Sequence, residues 1–359
     1  MKLVFDCRFI RFDHHDGISR FSSALFAAVC KRVEAIALIS DLRQLHFLPE
    51  GAKYTVGNDP LDALSELRLP AKLNALGATH VFSPMQTMGS FGRRYKLILT
   101  LHDLIYYSHP KAPPALPLLV RIAWRVYHLG FWAARFLLNR ADAVVTVSET
   151  SKQLILQHNL TVKPVHVIYN APAMSSLHSV TTAAKTALGR NQLLYMGSFM
   201  EYKNVECLIQ AMKDLPDHEL VLLSKIQPPR QAELLTLAGD SKERIIFRNG
   251  VDDAEYRKLL EGAFALVSAS KDEGFGIPLV EAMSEGIPLV VSDISIFREV
   301  AGDAGYFFDP TAPNDFASSI KRLSEEQVWE AASRRSLERA AFFSWDDSAD
   351  VLLAALKQS

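Results

Sequence analysis

Short, near-continuous runs of Val, Ile, Leu and Ala alternate along this chain with segments of helical periodicity, and that alternation constrains the fold most. LVF (3–5), AIALIS (35–40), HVFS (80–83), KLILTLHD (96–103), AVVTVS (143–148) and VHVIYN (165–170) make one set. QLLYMGS (192–198), ELVLLSK (219–225), RIIFRNG (244–250), AFALVSAS (263–270), PLVVSD (288–293) and YFFD (306–309) make a second. Runs this short and this apolar read as strands buried on both faces. Segments such as VECLIQAMKDL (205–215) and DAEYRKLLEGA (253–263) read as the helices that cover them. At 359 residues the chain is too long for one typical core. The polar, small-residue stretch 171–189 separates the two sets and is the best linker. The expected fold class is α/β, with two doubly wound Rossmann-like domains facing each other across a cleft. We expect a first domain over 1–172, a linker over 173–190, a second domain over 191–342 and a last helix over 343–359. Such sheets bind ligands outside the carboxyl ends of their strands.

Composition narrows the class. Hydrophobic residues at 49% and charged residues at 22% fit a folded globular chain and exclude a disordered one. No apolar run reaches the roughly 18 residues that a membrane span needs. MKLVFDCRF reads as a first strand, not a signal peptide, so the expected location is cytoplasmic. Cys7, Cys30 and Cys207 lack metal-ligand spacing and read as reduced, buried thiols.

Charge is unevenly spread. Residues 1–180 hold 20 basic and 12 acidic side chains; the remainder holds 19 and 28. A basic first half facing an anion is one reading, with a membrane surface or a lipid-diphosphate acceptor as partner; plain solvation of the charges is the other. The segment 113–142 interleaves Trp124, Tyr127, Phe131, Trp132 and Phe136 with Arg121, Arg125, Arg135 and Arg140. It reads either as peripheral membrane contact, at the inner face of the membrane, or as an ordinary helix with snorkelling arginines. No nucleic-acid partner is expected.

EGFGIPLVEAMSEGIPLVVSD (273–293) carries the chemistry. Gly274 and Gly276 let backbone approach a ligand closely. Pro278 suits a first helical turn, and Gly286 with Pro288 suits its end. Free N–H groups at a positive helix end fit a phosphate. Glu273 and Glu281 accept hydrogen bonds and fit sugar hydroxyls. A capped helix with two solvated glutamates fits the same spacing.

That segment resembles the donor-sugar motif of the retaining glycosyltransferases of family 4. DGISRFS (16–22), LHDLIYYSHP (101–110), ADAVVTVSETSK (141–152), VIYNAP (167–172), LLYMGSFMEYKN (193–204), GYFFDP (305–310) and FSWDDSA (343–349) follow in that family's order along nearly the whole chain. The resemblance implies the GT-B fold, with a last helix crossing back to the first domain. It implies a nucleotide-diphosphate sugar as donor, used as a co-substrate with no cofactor and no metal.

It also assigns roles. His102 lies beside the transferred sugar, Lys203 neutralises the diphosphate, Glu273 contacts the sugar and Glu281 holds the ribose. Gly17, Ser198 and the backbone of Gly274, Phe275, Gly276, Ile277, Pro278 and Leu279 complete the donor contacts, and residues 248–256 face the base. The family's paired glycines are Asp16 and Gly17 here, and its second cation is replaced by Ser198 or Tyr202, leaving Arg20 or Lys271 to supply that charge. Asp103 and the SET at 148–150 read as helix caps. His14 and His15 read as loop residues on the acceptor side. Around EGFGIP and SDISIFREV the likeness is to bacterial members that transfer mannose in surface polysaccharide or glycolipid synthesis. GDP-mannose is the first expected donor, UDP-glucose or UDP-N-acetylglucosamine the next. A growing glycan or lipid-linked glycan is the expected acceptor. A non-catalytic sugar-nucleotide-binding subunit is the alternative.

Overall fold

In a computed structural model, both sets of apolar runs form parallel sheets. The structure describes residues 1–12, 16–111, 118–172, 187 and 189–359. His14, His15 and most of the expected linker lie outside the described residues. The chain divides into two compact units, Met1–Asn170 with Ser344–Ser359, and Ala171–Phe343.

The first unit has seven strands: β1 (Leu3–Asp6), β2 (Ala35–Ile39), β3 (Tyr54–Val56), β4 (His80–Ser83), β5 (Lys96–Thr100), β6 (Ala143–Thr146) and β7 (Val165–Val167). They lie in the order β3-β2-β1-β4-β5-β6-β7. Its helices are α1 (Gly17–Cys30), α2 (Ala63–Glu66), α3 (Leu69–Ala75), α4 (Ile105–Ser108), α5 (Leu118–Tyr127), α6 (Trp132–Leu138) and α7 (Glu149–Gln157). The sequence pattern missed β3. It is a three-residue edge strand, largely exposed, so it never needed the apolar run that marks its neighbours.

A buried ion cluster holds the carboxyl end of this sheet. Arg8 donates from Nε to Asp6 Oδ1 at 2.8 Å and from Nη2 to Asp6 Oδ2 at 3.0 Å, and its Nη1 reaches Glu66. Ser83 donates to Asp6 Oδ2 at 3.1 Å, Asn58 to Glu66 Oε1 at 2.7 Å and the Gly89 amide to Glu66 Oε2 at 2.8 Å. Burial opposes the guanidinium charge, but Asp6 and Glu66 outweigh it, so Arg8 holds its proton more firmly than a free arginine. A Cβ at Gly89 would sit 2.0 Å from the Glu66 carbonyl oxygen, which is why the approaching loop carries a glycine there.

The second unit has six strands: β8 (Gln192–Tyr195), β9 (Glu219–Leu222), β10 (Ile245–Phe247), β11 (Ala265–Ser268), β12 (Leu289–Ser292) and β13 (Gly305–Phe308). Their order is β10-β9-β8-β11-β12-β13, again all parallel. Its helices are α8 (Val205–Ala211), α9 (Pro228–Ala238), α10 (Asp253–Gly262), α11 (Ile277–Ser284), α12 (Ser295–Ala301), α13 (Pro313–Leu323) and α14 (Glu326–Ala340). Its core joins β8, β9 and β11 to α8, α13 and α14 through residues such as Leu208, Phe316 and Trp329. Trp329 satisfies its indole N–H on the Phe264 carbonyl at 2.8 Å.

The last helix, α15 (Trp345–Gln358), packs in the first unit. Arg32 at the end of α1 reaches Asp346 at 2.8 Å and Asp350 at 2.5 Å. Ser348 donates to the Tyr169 carbonyl at 2.7 Å, and Trp345 meets Phe21 edge-on at 6.1 Å. Cys7 and Cys207 are buried, and burial pushes the Cys30 and Cys207 thiols up to about 11, so both stay protonated at neutral pH.

Candidate active site

In the second sheet the chain leads outward from β8 to β9 and β10, then returns to β11 on β8's other side. The carboxyl ends of β8 and β11 are therefore the switch point at which such sheets receive ligands. Two of the expected residues meet there. Lys203 ends a 3-10 turn, Glu201–Lys203, after β8, and Glu273 follows β11. Lys203 Nζ lies 2.5 Å from Glu273 Oε1, and both side chains are largely buried. Ser270 donates to the same oxygen at 2.8 Å.

Backbone contacts hold this pair in place. The Lys271 amide donates to the Tyr202 carbonyl at 2.8 Å. Asn204 adopts the left-handed conformation that asparagine tolerates, and its Nδ2 donates to the carbonyls of Ala269 at 3.1 Å and Pro310 at 2.8 Å. The lysine charge is thus already partnered, and the carboxylate keeps Oε2 as an acceptor.

The glycine turn follows directly. Gly276 caps α11 at φ +94°, and a Cβ there would lie 3.1 Å from the Phe297 ring and 3.3 Å from Leu279. Ile277 and Pro278 begin the helix. Not every backbone donor expected here is on offer. Leu279 spends its amide on the Gly276 carbonyl at 2.9 Å, and Pro278 has none. Gly274 is buried, and Phe275 is a core side chain, edge-on to Phe343 at 5.7 Å. Glu281 is buried on α11 and accepts from Tyr256 Oη of α10 at 3.0 Å. Sequence reasoning missed Tyr256. Its one signal was that a tyrosine on the buried side of DAEYRKLLEGA has to place its hydroxyl on some acceptor.

Ser198 is exposed after β8, and its carbonyl accepts from Tyr195 Oη at 2.6 Å. That hydroxyl would lie 2.6 Å from a Cβ at Gly197, so the turn before Ser198 demands glycine. The loops after β9 and β10 are knitted together: Gly250 donates to Leu223 at 2.9 Å, and the Ile226 amide to Asn249 Oδ1 at 3.1 Å. Asn249 and Gly250 both have positive φ.

His102 and Gly17 belong to the first unit. His102 follows β5; its Nε2 lies 2.8 Å from the Pro84 carbonyl, and its ring meets Phe21 edge-on at 5.1 Å. A carbonyl only accepts, so Nε2 carries the proton and Nδ1 is the acceptor. Burial pulls the imidazole down to about 4, against the bond to Pro84, so His102 is neutral at pH 7. Asp103 accepts from the Ile105 amide at 3.0 Å but is not the cap expected of it: Leu104 holds the N-cap position of α4. Gly17 is the first residue of α1, which Asp16 caps by accepting from the Ser19 amide at 2.9 Å. Arg11 pairs with Asp16 at 3.1 Å. This helix end, expected to face a diphosphate, therefore already holds a carboxylate.

A groove of about 580 Å³ between α8, the end of α9 and the start of α13 includes none of these side chains. Among the described residues no group of three or more His, Cys, Asp or Glu is placed to hold a metal ion.

Fold and site together define a protein of two Rossmann-like domains with a charged constellation at a strand switch point. Two family profiles match in succession, Glycosyltransferase Family 4 over residues 56–171 and Glycosyl transferases group 1 over residues 182–342. The chain thus carries a Glycosyltransferase Family 4 domain followed by a Glycosyl transferases group 1 domain. Among its relatives, the O-antigen chain mannosyltransferase RfbU of Salmonella typhimurium is 31% identical over 243 residues, covering 66% of this chain and 62% of that protein. The O-antigen chain mannosyltransferase B of Escherichia coli is 28% identical over 281 residues, covering 74% and 71%. This chain thus spans about three fifths of the first relative's length. Among solved structures, Anabaena Alr3699/HepE in complex with UDP and glucose superposes with a TM-score of 0.74 over the full length of both chains at 19% identity. Sucrose-phosphate synthase from Thermosynechococcus elongatus gives 0.73 at 16% identity, covering 99% and 98%. At these identities the structural likeness shows the GT-B fold alone.

Proposed function

We propose that this chain is a retaining glycosyltransferase that moves mannose from GDP-mannose to a growing glycan or lipid-linked glycan in surface polysaccharide synthesis. The observation that carries the reading is the Lys203–Glu273 pair at the switch point of the second sheet. The names of the two O-antigen relatives support mannose as the sugar.

In this reading the acceptor oxygen attacks C1 of the sugar from the face that the diphosphate leaves. The new C–O bond forms as the bond to the diphosphate breaks, and the acceptor's proton passes to the departing phosphate oxygen. Lys203 offsets the negative charge developing on that group. Glu273 receives hydrogen bonds from sugar hydroxyls through Oε2 while Lys203 and Ser270 hold Oε1. Glu281 receives the ribose hydroxyls, and neutral His102 accepts a sugar hydroxyl at Nδ1. The nucleotide sugar is a co-substrate, and no step calls for a resident cofactor or metal.

The test is thermal stabilisation and transfer assays of the purified chain with GDP-, UDP- and ADP-sugars. GDP-mannose is expected to be the strong stabiliser, since a ligand at a hundred times its Kd adds about 2.7 kcal/mol. Lys203→Ala and Glu273→Ala are each expected to lower transfer by roughly a hundredfold or more. A UDP-sugar as the only stabiliser would overturn the donor assignment; full activity in both variants would overturn the residue roles.

A further inference from the structure

The outer surface of α5 and α6 breaks the usual rule for exposed helices. A helix on the surface of a folded domain turns charged and polar residues to water. The exposed side chains described on α5 are instead Val120, Arg121, Ile122, Arg125 and Val126. Leu129, just beyond it, is 76% exposed, Trp132 at the start of α6 is 62% exposed, and Phe136 lies one turn further on the same face. Phe136 continues onto Phe91, at 6.4 Å between ring centres, and the Arg140 guanidinium lies 3.6 Å over the Phe91 ring.

The inward side of this segment is already used. Trp124 meets Tyr106 of α4 edge-on at 4.7 Å and lies 4.6 Å from His128; Phe131 lies 4.5 Å from Tyr107. The outward apolar residues are therefore not a core face awaiting the rest of the unit. They leave large apolar side chains exposed on both helices, and such exposed apolar surface marks an interaction site.

Charge selects the partner. Between residues 111 and 141 the sequence has Lys111, Arg121, Arg125, Arg135 and Arg140 and no Asp or Glu. Arg135 and Arg140 are committed to the protein: Arg135 donates to the His158 carbonyl at 2.8 Å and Arg140 to Ser90 Oγ at 2.8 Å. Arg121 and Arg125 are exposed and have no ion pair among the described residues. Aliphatic side chains interleaved with unpaired arginines, with a tryptophan and a phenylalanine alongside, suit the boundary between lipid headgroups and acyl chains. There the rings and aliphatic groups enter the interface while guanidinium groups meet phosphates. No described helix is long and apolar enough to cross a membrane. We propose that this face of the first unit docks on the surface of an anionic lipid bilayer, peripherally, with Ile122, Val126, Leu129, Trp132 and Phe136 as the inserted groups. The proposal does not depend on the glycosyl-transfer reading.

The experiment is co-flotation of the full chain with vesicles of phosphatidylcholine alone and of phosphatidylcholine with phosphatidylglycerol, with Trp132 emission followed in parallel. Trp329 and Trp345 are buried, so a lipid-induced blue shift that disappears in Trp132→Ala reports this face. Binding is expected to be strong only with phosphatidylglycerol present. At about 1 kcal/mol per basic residue, Arg121→Gln with Arg125→Gln should weaken it roughly thirtyfold. Ile122→Glu with Trp132→Glu should abolish it while leaving the unfolding midpoint unchanged, because both side chains are exposed. Absence of flotation with either vesicle would overturn the proposal, as would unchanged binding by the variants. So would a dimer in solution that these substitutions convert to monomer, since a second copy would then be what covers the face.

Discussion

Tyr256 is the residue whose importance the site adds to the sequence. Its hydroxyl donates to one oxygen of Glu281, the residue proposed above to receive the ribose. Tyr256→Phe is expected to leave the fold intact, weaken nucleotide binding several-fold and narrow the preference for ribo- over 2′- and 3′-deoxyribonucleotides. Binding titrations with those analogues check it, and an unchanged preference would reduce Tyr256 to a packing residue. His102 makes a prediction about acid. Burial holds its folded value at about 4 against 6.5 for a free imidazole, so the unfolded chain takes up the proton first. Its contribution to stability is full above pH 6.5 and is lost as pH falls towards 4. Urea unfolding should show a smaller loss between those pH values in His102→Gln than in the parent. Through pH 6–8 the imidazole does not titrate, so His102 should leave no acid limb in kcat/KM there. Residue by residue, legibility was uneven. Glu273 stood out by its chemistry and Lys203 only by resemblance; 70 positions separate them, and the strand order of the sheet brings them together. Tyr256 had no motif at all.

At the scale of elements, the strands buried on both faces were readable and the exposed edge was not. AIALI and PLVV are apolar throughout, as strands of a parallel sheet covered on both faces must be. YTV at β3 lies at the edge and carries no such signature. The loops show the same limit. Asp6, Arg8 and Glu66 look like ordinary surface charges in the sequence, yet they tie together the segments that follow β1, β3 and β4. Arg8→Met would leave two carboxylates buried without their cation and should cost about 3–5 kcal/mol, measured by chemical unfolding. Replacing Asp6, Arg8 and Glu66 together by apolar residues of similar volume should cost much less, because the penalty lies in the orphaned charges. If the single and triple variants were equally destabilised, packing would account for the cluster.

For the whole molecule, each unit has its own sheet and its own core, but only the second is built from one continuous stretch. Removing residues 344–359 strips Trp345, Leu352 and Leu356 from the first unit, along with the Arg32 ion pairs. Hydrogen exchange should then show lost protection in 1–170 and little change in 171–343. Uniform loss through both units would mean that they unfold together. The same feature sets a timetable for the ribosome. A domain at the front of a chain ordinarily folds while the rest is still being made. Here the first unit is begun before the second and completed after it: residues 1–170 emerge before 171–343, but α15, which packs on α1, emerges only after them. Throughout that interval the nascent chain lacks the partner that Phe21 finds in Trp345, and a chaperone that binds exposed apolar segments would find an opportunity there.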